Sequence, residues 1–251
     1  MDRLSERYAR KVASALAGLL GPRVAGVYLH GSAVLGGFDA RRSDIDMLAV
    51  VTGPMTSAQQ SSVAGALSEP SLPCPARGLE LSIVTLQVTQ HPVAEPPFEL
   101  HQTTAPGQAR VTDGHRHGGD PDLVLHFAVC RAAGRLAGPG RPAPEVFAPV
   151  PEELARAQML RELRWAAGHA PDEYAVLNAC RAWRFTVDGA LVSKIDGGRW
   201  ALGLVRGADR DLVGATLARQ QCEPAGALDP RSVRHFVGTV LARMPGAGAA
   251  G

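Results

Sequence analysis

Leu29-His30-Gly31-Ser32-Ala33-Val34-Leu35-Gly36-Gly37, followed closely by Arg41-Arg42-Ser43-Asp44-Ile45-Asp46, is the stretch whose reading decides the fold. Its first part reads as the end of a strand over Val24–Leu29, a Gly-Ser turn and a short helix at Ala33-Val34-Leu35. Such a turn sets backbone N–H groups and a hydroxyl at a helix N-terminus, which suits phosphate oxygens. The second part opens a strand over Ile45–Val51. Side chains on a strand alternate between faces, so Asp44 and Asp46 share one face while Ile45 and Met47 point into the core. Two carboxylates beside a phosphate cradle suit Mg²⁺, which typically takes one or two carboxylates together with substrate phosphates.

Working outward, Leu4–Leu20 has the spacing of an amphipathic helix, with Leu4, Tyr8, Val12 and Leu16 on one face and Gly21-Pro22 as its stop. Ser57–Leu67 is predicted helical, with Thr56 as its N-cap. A third strand is predicted over Leu79–Val88. There Leu79, Leu81 and Ile83 share the core face and Glu80 is thrown to the other, level with the aspartates if the strands are neighbours. A carboxylate in an apolar strand is costly unless it meets a cation. Read singly, the Gly-Ser turn is an ordinary turn, Asp-x-Asp a solvated strand start, and Glu80 an edge-strand charge. Together, on three successive predicted strands, they point to a metal and phosphate site.

His91–Asp120 is rich in Pro, His and Gly and reads as a long irregular connection. Beyond it, Asp122–Leu136, Glu152–Ala166, Glu173–Val187, Asp209–Gln220 and Ser232–Met244 all carry helical apolar spacing. The expected architecture is an α/β domain over residues 1–118, a mixed sheet with covering helices, followed by an all-α helical bundle over 119–251. The small-residue tail Pro245–Gly251 is expected to fray.

Composition narrows the class. The 251 residues carry a net charge of +2 from 26 basic and 24 acidic side chains, without the dense Lys/Arg patch of a nucleic-acid binder. Cys74, Cys130, Cys180 and Cys222 form no CxxC pair, so neither a disulfide framework nor a zinc site is suggested. No apolar run approaches the roughly 18 residues of a membrane span. A cytoplasmic monomer with no nucleic-acid or membrane partner is the expectation.

The motif set resembles the polymerase-β-like nucleotidyltransferase superfamily, whose signature is Gly-Ser, then Asp-x-Asp, then an acid on the next strand. Leu29-His30-Gly31-Ser32-Ala33-Val34-x-Gly36-Gly37 with Ser43-Asp44-Ile45-Asp46 is closer still to the streptomycin/spectinomycin (3″)(9) adenylyltransferases. Asp122-Leu123-Val124, Leu136-Ala137-Gly138-Pro139, Asp172-Glu173-Tyr174, Arg181-Ala182-Trp183 and Ser193-Lys194 resemble that family's words in the second half. The resemblance implies ATP and Mg²⁺ as cofactors, with the metal on Asp44, Asp46 and Glu80. Gly31, Ser32 and Ser43 would meet the triphosphate, and Asp122, Arg181 and Lys194 would bind the nucleotide from the helical side. Glu80 would be the base that takes a proton from an antibiotic hydroxyl, with Trp165 and Asp172 contacting the drug. The helical domain would thereby complete the ATP and drug site. An adenylyltransferase with another acceptor, or a catalytically silent nucleotide sensor, stands as the alternative.

The chain also departs from that family. Phe98-Glu99-Leu100-His101-Gln102 runs on to Thr103-Thr104 where the family carries a Glu-Trp pair, and the acid that follows the tryptophan in streptomycin-modifying members meets His169 or Ala170. Streptomycin brings two guanidinium groups that need acids against them, because an unpaired buried cation is costly. Spectinomycin is therefore expected over streptomycin.

Overall fold

The computed structural model describes residues 3–244, so the tail expectation for Pro245–Gly251 lies outside the described residues. Contacts divide the chain into two compact units, one ending at Pro151 and the other beginning at Glu152.

The first unit is built on a six-stranded mixed sheet of order β5-β4-β3-β2-β1-β6. Its strands are β1 (Val24–Leu29), β2 (Ile45–Val51), β3 (Leu79–Thr85), β4 (Leu100–Thr103), β5 (Arg110–Asp113) and β6 (Arg135–Leu136). β2 and β3 run parallel; the other neighbours are antiparallel. Strand alternation builds two cores. On one face Ile45, Met47, Ala49, Leu79, Leu81 and Ile83 pack with Tyr8, Val12 and Leu16 of α1 (Arg3–Leu20) and Val63 of α3 (Ser57–Ala66). On the other, Tyr28, Leu48, Val50 and Val84 pack with Leu123, Phe127 and Cys130 of α5 (Leu123–Ala133), Val146 of α6 (Ala143–Val146) and Phe147. β1 and β2 match their expected limits. Thr56 caps α3 through its side chain, with Gln59 completing a capping box.

Three expectations are corrected. β3 stops at Thr85, where its register partner Val51 ends β2, and α4 (Leu86–Gln90) follows instead of more strand. The connection His91–Asp120 holds two strands, β4 and β5. Its buried polar side chains hide the alternation: Gln102 donates to the Ala64 carbonyl at 3.1 Å, and Glu99 accepts from the Met55 N–H at 2.7 Å and bonds His115 at 2.9 Å. Finally, the expected boundary after residue 118 falls inside the sheet unit. Leu123, Phe127 and Cys130 are apolar toward the sheet, so α5 covers it instead of opening the bundle.

The second unit is helical: α7 (Glu152–His169), α8 (Asp172–Asp188), α9 (Lys194–Leu202), α10 (Gly207–Gln220) and α11 (Pro230–Arg243). α8 packs against the other four and buries Ala175, Val176, Leu177, Asn178, Ala179, Cys180, Ala182 and Phe185, the broad burial of a central helix. It ends on Gly189 in the left-handed conformation. α9, which apolar spacing missed, starts at Ser193, whose hydroxyl accepts from the Asp196 N–H. Its Gly197 and Gly198 let it lie directly on α8: a Cβ at Gly197 would stand 2.8 Å from the Arg181 backbone, and one at Gly198 2.8 Å from Leu177. No helix among the described residues is long and apolar enough to cross a membrane.

Candidate active site

The site in the sheet unit is assembled by strand register. Asp46 pairs with Glu80 across the parallel β2–β3 ladder, while their neighbours Ile45 and Leu79 pair on the core face. The two carboxylates therefore stand side by side on one face, as the alternation predicted. Beside them, β1 runs out through His30, whose N–H donates to the Asp46 carbonyl at 3.0 Å. Gly31 follows at φ +61°, ψ −142°, a conformation open almost only to glycine. It must also be glycine for space, since a Cβ there would sit 1.9 Å from Asp46 Oδ2. Ser32 then opens the single-turn helix α2 (Ser32–Leu35).

Ser43 closes the loop that follows. Its N–H donates to the Asp39 carbonyl at 2.7 Å, and its hydroxyl accepts from the Asp39 N–H at 3.2 Å. Asp44 is tied between fixed points, with Arg77 N–H bonded to the Ser43 carbonyl and Ile45 N–H to the Gly78 carbonyl. Its side chain pairs with Arg77 Nε at 3.7 Å.

Electrostatically this is a crowd of like charges. Burial raises the proton affinity of Glu80; His126 opposes the shift, and Asp44, Asp122 and Asp120 reinforce it. Asp122 is the N-cap residue of α5, and its N–H is held by Asp120 Oδ1 at 3.0 Å. The structure thus puts Asp122 in the same unit as the strand carboxylates. Asp120 and His126 are additions that the sequence reading missed. His126 had a signal: it lies four residues beyond Asp122, on the same side of a helix. Its ring stands 4.7 Å from that of His30, whose imidazole is held well below its usual pKa by burial first and by this neighbour second. His101 bonds Ser82 at 3.0 Å through Nδ1 and is likewise pushed down by burial.

Among the described residues no three His, Cys, Asp or Glu side chains stand in ready metal-ligating geometry. The donor chemistry nonetheless fits a hard divalent cation, since every candidate ligand offers carboxylate oxygen and their mutual repulsion is what such an ion relieves.

In the helical unit, three of the four expected residues meet in one cluster. The Arg181 guanidinium donates through Nη2 to both Glu162 oxygens, at 2.8 and 2.9 Å, and to Asn178 Oδ1 at 2.7 Å. Tyr174 donates to Glu162 at 2.7 Å, and Lys194 Nζ lies 3.7 Å from the Tyr174 ring centroid. Trp165, 53% exposed, stacks on His169 and meets Tyr174 edge-on at 6.3 Å. Asp172 stands apart in the first turn of α8, beside Glu173, which bonds Arg219. Glu162 escapes the sequence reading and Tyr174 takes no role in it, because each looks like an ordinary helix residue until its partner on another helix is known.

A Gly-Ser turn, register-matched strand carboxylates and a following helical unit define a nucleotidyltransferase architecture. Residues 145–243 match the family model described as the aminoglycoside adenylyltransferase C-terminal domain. The crystal structure of spectinomycin adenyltransferase AAD(9) from Enterococcus faecialis with ATP and spectinomycin superposes with a TM-score of 0.72 at 16% identity, covering 95% of this chain and 98% of that one. No curated protein sequence matches significantly. Residues 145–243 thus carry that family's C-terminal domain, and the chain as a whole shares the fold of that adenyltransferase.

Proposed function

We propose that the chain transfers AMP from ATP to a hydroxyl of an aminocyclitol antibiotic, with spectinomycin favoured over streptomycin. The observation that carries this reading is the register pairing of Asp46 with a half-buried Glu80 behind the Gly31-Ser32 turn. A carboxylate fixed by strand register can act as general base toward a hydroxyl brought within hydrogen-bond reach. In this reading Glu80 takes the proton from the antibiotic hydroxyl, and the freed oxygen attacks the α-phosphorus. The bond from that phosphorus to the β-phosphate oxygen breaks and pyrophosphate leaves. Asp44, Asp46 and Glu80 would hold Mg²⁺, which when bound supplies charge neutralisation for the triphosphate.

Gly31 brings backbone close to Asp46 and is assigned with Ser32 and Ser43 to the triphosphate. Asp122, Arg181 and Lys194 are assigned to the nucleotide, Trp165 and Asp172 to the drug. The likeness to a structure solved with ATP and spectinomycin supports both ligands. The missing acid at His169-Ala170 and the absent Glu-Trp pair favour the smaller aminocyclitol, which carries no guanidinium.

The deciding assay is pyrophosphate release from ATP and Mg²⁺ with a panel of aminoglycosides and aminocyclitols, paired with resistance tests in a susceptible host. Spectinomycin-dependent release with spectinomycin protection is expected. Streptomycin protection without spectinomycin protection would overturn the acceptor assignment, and no release with any panel member would overturn the antibiotic reading.

A further inference from the structure

We propose that Glu162 is a positioning residue for the nucleotide, a single carboxylate that aims both cations assigned to its phosphates. This rests on the reading of Arg181 and Lys194 as nucleotide contacts. Glu162 is 16% and Arg181 19% exposed at the side chain, so their pairing is largely withdrawn from water. Arg181 spends Nη2 on Glu162 and Asn178, which fixes the plane of the guanidinium. Its Nε is buried with no hydrogen-bond partner among the described residues. The charge-assisted hydrogen bonds through Nη2 hold the guanidinium in one orientation before any ligand arrives.

The same carboxylate reaches the second cation through a ring. Glu162 accepts from the Tyr174 hydroxyl at 2.7 Å, and that ring carries the Lys194 ammonium on its face at 3.7 Å. Trp165, one turn along α7 from Glu162, closes on the ring edge-on. The close α8–α9 contact at Gly197 and Gly198 makes this geometry stiff, because Lys194 begins the helix that those glycines seat on Arg181 and Leu177. A phosphate-binding cation that is already oriented loses less side-chain freedom when its ligand arrives.

ATP titration calorimetry on the full chain tests this, beside the KM for ATP and kcat. Glu162→Ala is expected to weaken ATP binding about ten- to hundredfold, the scale of a small misplacement of a positioned group. Glu162→Gln, which keeps the shape and one acceptor, should weaken it less. Tyr174→Leu should exceed Tyr174→Phe, which keeps the ring under Lys194. The KM for ATP should rise in step with Kd, while kcat at saturating ATP stays nearer wild type.

Circular dichroism and a cooperative melt establish that each variant is folded, and Glu162→Gln serves if Glu162→Ala is not. Folded Glu162 variants that bind ATP as tightly as wild type, or more tightly because Arg181 has been released, would overturn the proposal. Arg181→Ala and Lys194→Ala separate the two levels. If they weaken ATP and the Glu162 variants do not, only the positioning role fails. If neither cation variant changes ATP binding, the nucleotide reading fails and this inference with it.

Discussion

In the sheet unit, withdrawal from water and the carboxylates gathered around it raise the proton affinity of Glu80, whereas the helical unit pairs its charges, Arg181 against Glu162 and Lys194 against the Tyr174 ring. The first arrangement carries electrostatic cost in the ligand-free protein and is relieved by a cation. The second is compensated beforehand and spends its stability on orientation. Binding sites use both devices, and they differ in how they answer to mutation. Removing a like charge should relieve the fold while abolishing function. Removing a paired charge should harm both.

The largest expected effect lies in the sheet unit. Glu80→Gln should lower the rate of pyrophosphate release by about 10²–10⁴-fold, the usual worth of general-base help. Asp44→Ala and Asp46→Ala should abolish Mg²⁺-dependent transfer in a folded protein, and chelation should do the same to the unmutated chain. A Gln variant only twofold slower would mean that Glu80 is not the base.

Next comes nucleotide affinity. Lys194→Ala should weaken ATP binding by about 1.5–3 kcal/mol, the range for hydrogen bonds to charged groups. Unchanged calorimetric affinity would remove Lys194 from the nucleotide assignment.

The comparison itself is tested by thermal melts of the ligand-free protein. Glu162→Gln should lower stability by about 1–3 kcal/mol, because it strips the compensation from a mostly buried guanidinium. Glu80→Gln should raise the melting midpoint, because it removes a half-buried charge among like charges. Two shifts of the same sign would break the contrast between the units.

The smallest effect is in the core of the sheet unit. Tyr28 is fully buried against Phe147, its hydroxyl donates to the Arg141 carbonyl at 2.7 Å, and burial pushes its pKa up to about 12. A raised pKa means that its contribution is fully present below the ordinary value of 10.0 and lost as pH rises through about 12. Tyr28→Phe should cost about 1 kcal/mol at neutral pH and flatten the alkaline loss of stability. An unchanged alkaline melting profile would show that Tyr28 does not control it.

The sequence by itself determined what depends on local periodicity and local chemistry. The limits of β1 and β2, the Thr56 cap, the Gly31 turn and the assignment of Asp46 and Glu80 to one strand face all follow from alternation and turn geometry, which act over a few residues. Only the tertiary structure decided the rest. β4 and β5 exist because β3 offers an edge, and the buried Gln102 of β4 and Glu99 just before it are satisfied by partners far along the chain. α5 covers the sheet because its apolar face fits Tyr28, Leu48 and Val84, which brings Asp120, Asp122 and His126 to Glu80. Glu162 and Tyr174 gain their meaning from Arg181 and Lys194, residues on other turns or helices. Which strands neighbour and which helix faces meet is a competition among many long-range burials, and no short stretch of chain encodes its outcome.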